Sequence, residues 1–161
     1  MDFELIRTEA EHKAAKGVLE GLGARVKAQE GFLQDKGMDE EAMAEVLEPM
    51  RSLVDKGQAV VDEYERACRG ELGAVPLSDL GRLVVGMRIA NNMSLKEAAD
   101  AAGMDAAYLG GHERGGFESM ALGKVAKLVE DLGYTVFVAR VREGFEVAVT
   151  QRPEDGERDG G

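Results

Sequence analysis

The sequence predicts a mainly α-helical protein that ends in a β-hairpin. Apolar residues recur at three- and four-residue steps over two long stretches and several shorter ones, which is the spacing of amphipathic helices. Near the end of the chain, β-branched and aromatic residues cluster in two runs, which is typical of paired strands. The 161 residues, 44% hydrophobic and 32% charged, fit a globular protein of one ordinary domain or two small ones.

An antiparallel helical hairpin is predicted over residues 1–72. Thr8 and Glu11 form a capping-box pattern before the first helix, and Asp39 is placed to cap the second. A pair of helices cannot bury two apolar stripes fully on its own, so we expect a second copy or another protein to cover them. The stripe of the first helix contains Ala15, Val18, Leu19, Leu22, Val26 and Leu33, and that of the second contains Met43, Val46, Leu47, Met50, Leu53, Val54, Val61 and Tyr64.

A second domain of short helices is predicted over residues 73–133. It follows a stretch between Arg69 and Leu77 that is rich in glycine and proline and lacks helical periodicity. Gly103 ends one short helix just before the next begins, which gives the order helix, tight turn, helix. The residues predicted to cap helices in this domain are Ser78, Ser94, Asp105 and Ser119.

The end of the chain is predicted to contain a β-hairpin at residues 134–151 and a disordered tail at residues 152–161. The hairpin combines two strand-like runs around a turn at Arg142-Glu143-Gly144. Since an isolated two-stranded hairpin is marginally stable, it should pack on the helical domain or pair with another chain. The tail is charged and rich in glycine.

The charge of −11 argues against broad affinity for nucleic acids, because phosphate binding depends on lysine and arginine. Residues 1–74 hold 17 acidic and 10 basic side chains, residues 75–133 hold 8 and 6, and residues 134–161 hold 6 and 4. The acidic first half suits a basic partner, although a solvated acidic surface is the commoner explanation.

The residue inventory argues against an enzyme. One cysteine, Cys68, cannot form an internal disulfide, and two histidines give little material for a metal site or a catalytic base. No phosphate-binding loop or nucleophile motif occurs, so we expect no cofactor and no metal. No apolar run is long enough to cross a bilayer, so we expect a cytoplasmic protein without a membrane partner.

An ordered set of residues between positions 78 and 132 resembles the Xre/lambda-repressor-like helix-turn-helix family. Members carry an arginine at the end of the first helix, a serine-capped second helix with a central alanine, a glycine at the turn, and a closing Glu-Arg-Gly. The matching residues here are Arg88, Ser94, Ala99, Gly103 and Glu113-Arg114-Gly115. The resemblance implies a five-helix lambda-repressor-like domain in which Arg88 and Glu113 form a structural ion pair.

The same resemblance implies that the partner is double-stranded DNA. Asn92, Lys96 and Arg114 match positions that contact phosphates, with solvent-facing polar residues as the alternative. The family's base-facing positions carry only small side chains here, so DNA binding should be weak. Three alternatives follow: binding through the backbone and DNA shape, binding that needs an added partner or a dimer, or loss of DNA binding with the fold retained for protein contacts. The remaining candidate DNA-binding residues are Ser94, Ala106, Ala107, Tyr108, Gly110, Gly111 and His112, of which His112 has packing beside Glu113 as its alternative role.

The start of the chain resembles the N-terminal region of HigA-type antitoxins. The matching residues are Ile6, Arg7, Thr8, Glu9, Glu11, His12 and Ala15, and Tyr64-Glu65 near the end of the second predicted helix. This resemblance implies an antitoxin that binds a basic ribonuclease toxin and represses its own operon. A stand-alone phage or bacterial repressor, and an interaction module that has lost specific DNA binding, are the alternatives. A homodimer is expected in order to match two DNA half-sites, through either the helical hairpin or the terminal strands.

Overall fold

A computed structural model describes residues 4–141 and 144–151 of the chain. Over these residues the protein is mainly helical, with six α-helices and a three-stranded antiparallel sheet. The chain divides into two units between Glu65 and Arg66, whereas the sequence places the boundary after residue 72. The tail expected to be disordered from residue 152 onward lies outside the described residues.

The first unit is built on two long helices, α1 (Glu9–Asp35) and α2 (Glu40–Cys68). Both caps predicted for them are present. Thr8 and Glu11 make the two reciprocal hydrogen bonds of a capping box, and the Asp39 carboxylate accepts a hydrogen bond of 2.9 Å from the backbone N–H of Ala42. The helix starts are therefore fixed by local chemistry.

The apolar stripes of α1 and α2 form the core of the first unit. Leu19, Val26 and Leu33 follow one another at seven-residue steps and are all buried, which is the spacing of helices that coil around each other. On α2, Leu47 and Val61 are 1% and 2% exposed. The hairpin thus buries the centres of both stripes but leaves other parts of them exposed, and a partner that covers those parts stays a prediction. The stripe residues left exposed are Val18 and Val46, and Phe32, which lies outside the stripe of α1, is exposed as well.

The second unit contains four α-helices among its described residues, one fewer than expected. In chain order they are α3 (Leu80–Ala90), α4 (Leu95–Ala101), α5 (Ala106–Arg114) and α6 (Leu122–Asp131). A 3-10 turn, Leu77–Asp79, connects β1 to α3. Leu83, Met87, Leu109 and Leu128 are among the buried residues of the core.

Two of the four caps predicted for this unit are wrong. Ser78 lies inside the 3-10 turn, where its hydroxyl donates to the Asp79 carboxylate, and α3 begins without a side-chain cap. Ser119 lies two residues before the true N-cap of α6, which is Ala121 and also makes no side-chain cap. The other two predicted caps, Ser94 and Asp105, are present.

The sheet consists of β1 (Val75–Pro76), β2 (Tyr134–Val141) and β3 (Gly144–Gln151), in the order β1-β3-β2. The predicted hairpin of β2 and β3 is confirmed, and its turn residues 142 and 143 lie outside the described residues. Strand β1 was not predicted, because two residues cannot display an alternating pattern. Val147 pairs with Val75 on one side and Val138 on the other and is fully buried. The hairpin is therefore stabilised by a third strand of its own unit.

Candidate nucleic-acid interface

A buried ion pair joins α3 to α5. The Arg88 Nε donates to Glu113 Oε1 at 2.7 Å and its Nη2 donates to Glu113 Oε2 at 3.0 Å, with both residues 5% exposed. Two parallel hydrogen bonds between guanidinium and carboxylate are a strong and directional contact. The structure thus contains the pair that the sequence predicts between these two residues.

The same guanidinium holds the loop that leads into α4. Its Nη1 donates to the backbone carbonyl of Met93 at 3.0 Å, and the Met93 N–H donates back to the carbonyl of Arg88 at 3.0 Å. Asn92 has a φ of +52°, a left-handed conformation that asparagine tolerates better than most residues. Asn92 therefore has a conformational role beside the phosphate contact expected for it.

Helices α4 and α5 are joined by a tight turn. Gly103 has a φ of +62°, and the next N–H, that of Met104, donates to the carbonyl of Ala99 at 2.8 Å. The start of α4 is held by Ser94 and Glu97, and hydrogen bonds from Ser94 lower the pKa of the Glu97 carboxyl. This keeps the capping carboxylate ionised.

The two helices approach closely at Gly110, which is buried. A Cβ added there would lie 2.9 Å from Cδ2 of Leu95 on α4. Ala99, the small residue expected where the helices cross, is 0% exposed. Gly110 therefore faces α4, and its predicted place among the base-facing positions is wrong.

The outer face of α5 carries small residues and one aromatic ring. Ala107, Tyr108, Gly111 and Arg114 are exposed, whereas Ala106 is half-buried. No atom lies within 4 Å of the Cβ position of Gly111, so the backbone is open there. Tyr108 is 42% exposed and is the largest side chain of this face. Apart from Arg114 at the end of the helix, the face lacks long polar side chains, as predicted from the sequence.

An aromatic cluster supports Tyr108 from one side. The ring of His112 packs edge-on against Tyr108 at 4.5 Å and is stacked near Phe117 at 6.1 Å between centroids. The Ser119 hydroxyl lies 3.5 Å from Nδ1 of His112. His112 therefore packs among aromatic rings, a different role from packing beside Glu113, and Phe117 is a residue that sequence reasoning missed.

Basic side chains flank this face. Lys124, in the first turn of α6, has its Nζ 5.4 Å from the Tyr108 ring centroid, a distance at which a cation and a ring attract each other. Sequence reasoning missed Lys124 because it belongs to the next helix. Lys96 and Arg114 are exposed and make no hydrogen bond or ion pair within the part of the chain that the structure describes. Three cations are thus available around the exposed face of α5.

Other kinds of site have less support. Residues 4–141 and 144–151 contain no group of three or more histidine, cysteine, aspartate or glutamate side chains that could hold a metal ion. None of the helices described is long and apolar enough to cross a membrane. Compared with protein-family models, curated proteins and solved structures, the chain has no significant match in any of the three.

Proposed function

We propose that this chain is a DNA-binding transcriptional regulator of the antitoxin type. In this proposal α4 and α5 act as a lambda-repressor-like helix-turn-helix, α5 enters the major groove, and the helical hairpin binds a basic partner protein. The observation that carries the proposal is the exposed outer face of α5, behind which the buried Arg88 and Glu113 pair anchors the helix. The anchor uses no residue of the face itself, which leaves that face available to a ligand.

DNA affinity would come mainly from contacts with phosphates. Lys96, Arg114 and Lys124 are exposed around α5 and can each replace a counterion on the DNA backbone. Small residues such as Gly111 allow the backbone of α5 to come close to the base pairs. Tyr108 is then the side chain with the reach to contact base edges, and DNA shape supplies the remaining selectivity. Three cations on an acidic chain give weak binding, so two copies are needed for a stable complex.

Partner binding is assigned to the hairpin tip, which we define as residues 32–48. The tip combines two exposed apolar side chains, Phe32 and Val46, with a dense set of carboxylates. This combination complements a basic protein surface that has an apolar depression. The exposed acidic residues of the tip are Asp35, Asp39, Glu40, Glu41, Glu45 and Glu48.

The DNA-binding part is tested by titrating fluorescent DNA from upstream of the gene, and a random duplex, with the full chain at several salt concentrations. Lys96→Ala and Arg114→Ala should weaken binding to both duplexes and lower the salt slope by about 1 each. Tyr108→Ala should reduce the preference for the upstream duplex. Lys127→Ala is the matched control, because Lys127 already pairs with Asp131 at 2.6 Å. Absence of any specific complex, with or without a partner protein, would refute the assignment.

A protein-interaction module without DNA binding is the second candidate. The observation that favours it is the small, uncharged surface made by Ala107 and Gly111, on a chain with a net charge of −11. This candidate predicts that the protein passes through heparin and DNA columns over a wide range of salt. It also predicts that Tyr108→Ala leaves the elution unchanged.

A further inference from the structure

Strand β2 has one edge without a strand partner. Within the described residues, β2 pairs with β3 along its whole length, and the other neighbour of β3 is β1. The outer edge of Tyr134–Val141 is therefore a row of backbone groups of the kind that recruits another strand.

The two edges of the sheet differ in their protection. The β1 edge is two residues long and includes Pro76, which has no backbone N–H to donate. The β2 edge runs from Tyr134 to Ala139 without a charged residue or a proline. Exposed edges normally carry such residues because they prevent unwanted pairing. Residues 134–139 of β2 lack such protection, and Arg140 follows them near the end of the strand, so this part of the edge is open to pairing.

Apolar side chains are exposed on both faces of the sheet near this edge. Phe137 is 54% exposed on one face, and Val138 and Phe145 are 59% and 55% exposed on the other, since successive residues of a strand alternate between faces. A helix docked on the sheet would cover one face only. A strand added to the edge brings side chains to both faces at once, and so accounts for Phe137 and Val138 together, whereas Phe145 lies on β3, one strand farther from the edge.

We propose that the β2 strand of a second copy of this chain pairs antiparallel with β2, across a two-fold axis at Phe137 or Val138. An axis at Phe137 places that residue opposite its own copy and Val136 opposite Val138. An axis at Val138 places that residue opposite its own copy and Phe137 opposite Ala139. Apolar side chains therefore meet at the centre of either pairing. Charge favours this occupant, because two acidic chains meet through a strand that holds no acidic residue and carries no charge over residues 134–139. The acidic residue described in these strands, Glu146, lies one strand away from the edge.

The resulting assembly is closed. On the other side of each sheet, β1 pairs with Val147 and Glu146 in the middle of β3, and it places Pro76 on that edge, which disfavours a second pairing there. The helical hairpin is the competing location for the symmetry axis, but it already buries the centres of its stripes. The inference goes beyond the proposed function and does not depend on DNA binding.

Sedimentation equilibrium of the full chain, without DNA, tests the pairing. We expect a dimer, and we expect Phe137→Lys and Val138→Lys each to weaken self-association by about tenfold or more, since like charges would meet across the axis. Both positions are more than half exposed, so the fold should tolerate the change, which circular dichroism checks. Leu122→Lys, at a 72% exposed position on α6, is the control and should dimerise like the wild type.

Single cysteines locate the axis. In a Cys68→Ser background, either Phe137→Cys or Val138→Cys should form a covalent dimer under mild oxidation, whereas Leu122→Cys should not. The inference is overturned by a wild-type chain that stays monomeric at about 100 μM, by assemblies that grow beyond two copies, or by crosslinking at neither strand position. It is also overturned if Phe32→Lys on the hairpin dissociates the dimer and the strand variants do not. Failure of DNA binding by an intact dimer would refute only the proposed function.

Discussion

Different interactions stabilise the interior of the helical hairpin and the interior of the second unit. In the hairpin, long helices bury apolar residues such as Leu47, and the ion pair between Arg51 and Glu30 lies at the surface, with side chains 42% and 46% exposed. In the second unit, helices of 7 to 11 residues are organised around the buried pair of Arg88 and Glu113. One partner of an ion pair can therefore be removed at little cost in the first unit, whereas its removal in the second unit leaves a buried charge without a partner.

Glycines differ between the two units in the same way. Gly17, Gly21 and Gly23 of α1 have no atom within 4 Å of a hypothetical Cβ. In the second unit, a Cβ at Gly81 would lie 2.5 Å from the carbonyl oxygen of Gly116. The glycines of α1 thus weaken a helix without a packing reason, whereas Gly81 permits a close contact between two segments.

Removal of one partner of the buried pair should have the largest effect on stability. Glu113→Ala leaves the Arg88 guanidinium buried without its carboxylate, so we expect a loss of about 3–5 kcal/mol. Hydrogen exchange resolved by peptide, combined with urea unfolding, measures the loss and locates it in residues 66–151.

Two controls sharpen this result. Glu30→Ala removes a partner of the surface pair in the hairpin and should cost at most about 1 kcal/mol. Joint replacement by Arg88→Met and Glu113→Leu should recover most of the stability, because no charge is then left buried. If Glu113→Ala and Glu30→Ala lower the free energy of unfolding by similar amounts, the expected contrast between the two units is wrong.

The hairpin should respond most strongly to the loss of apolar volume. Leu47 is 1% exposed, so Leu47→Ala should destabilise the first unit by about 2–5 kcal/mol through lost burial and an unfilled cavity. Val46→Ala, at the neighbouring 48% exposed position, is the matched control and should have little effect. Faster exchange in residues 9–68 is the readout. Equal effects of the two variants would mean that the stripe is not the main support of the hairpin.

Alanine at glycine positions should act in opposite directions in the two units. Gly81→Ala should cost about 1–3 kcal/mol, because the new methyl group meets backbone atoms that cannot move aside easily. Gly21→Ala fills open space in the middle of α1 and should stabilise the hairpin by about 0.5–1 kcal/mol. Urea midpoints of the two variants give the comparison. Shifts of the urea midpoint in the same direction for both variants would contradict the expected difference between the two glycines.

Features set by local chemistry could be predicted from the sequence. The caps at Thr8, Asp39, Ser94 and Asp105 need only residues within four positions of each other, and all four are present. Arg88 and Glu113 lie farther apart along the sequence. Their ion pair could be predicted because both residues belong to the ordered set that resembles the helix-turn-helix family.

Features that depend on distant contacts were missed. Strand β1 exists because Val75 pairs with Val147, and Ser119 does not cap α6 because the helix begins later, at Leu122. Gly110 faces α4 because the two helices cross there, which helical spacing alone does not reveal. Lys124 joins the candidate interface through its contact with the Tyr108 ring, and no local pattern links these residues.

The smallest effect on stability is expected from acid, which acts on the end of the hairpin where α1 begins and α2 ends. There, Lys16 Nζ and His12 Nε2 lie 3.2 Å and 3.0 Å from the Glu65 carboxylate. The hydrogen bond from Lys16, followed by that from His12, lowers the pKa of Glu65 below its ordinary value of 4.5. A carboxyl whose pKa is lower in the folded state stabilises the fold at pH values above its ordinary pKa, and it loses this contribution as the pH falls through its lowered pKa.

Glu65→Gln should therefore reduce the loss of stability between about pH 6 and pH 3. Hydrogen exchange of residues 9–35 measures the change, with Glu20→Gln on the exposed side of α1 as the control. An acid response of Glu65→Gln equal to that of the wild type would show that the charges at this end of the hairpin contribute nothing, and that its stability comes from the apolar stripe alone.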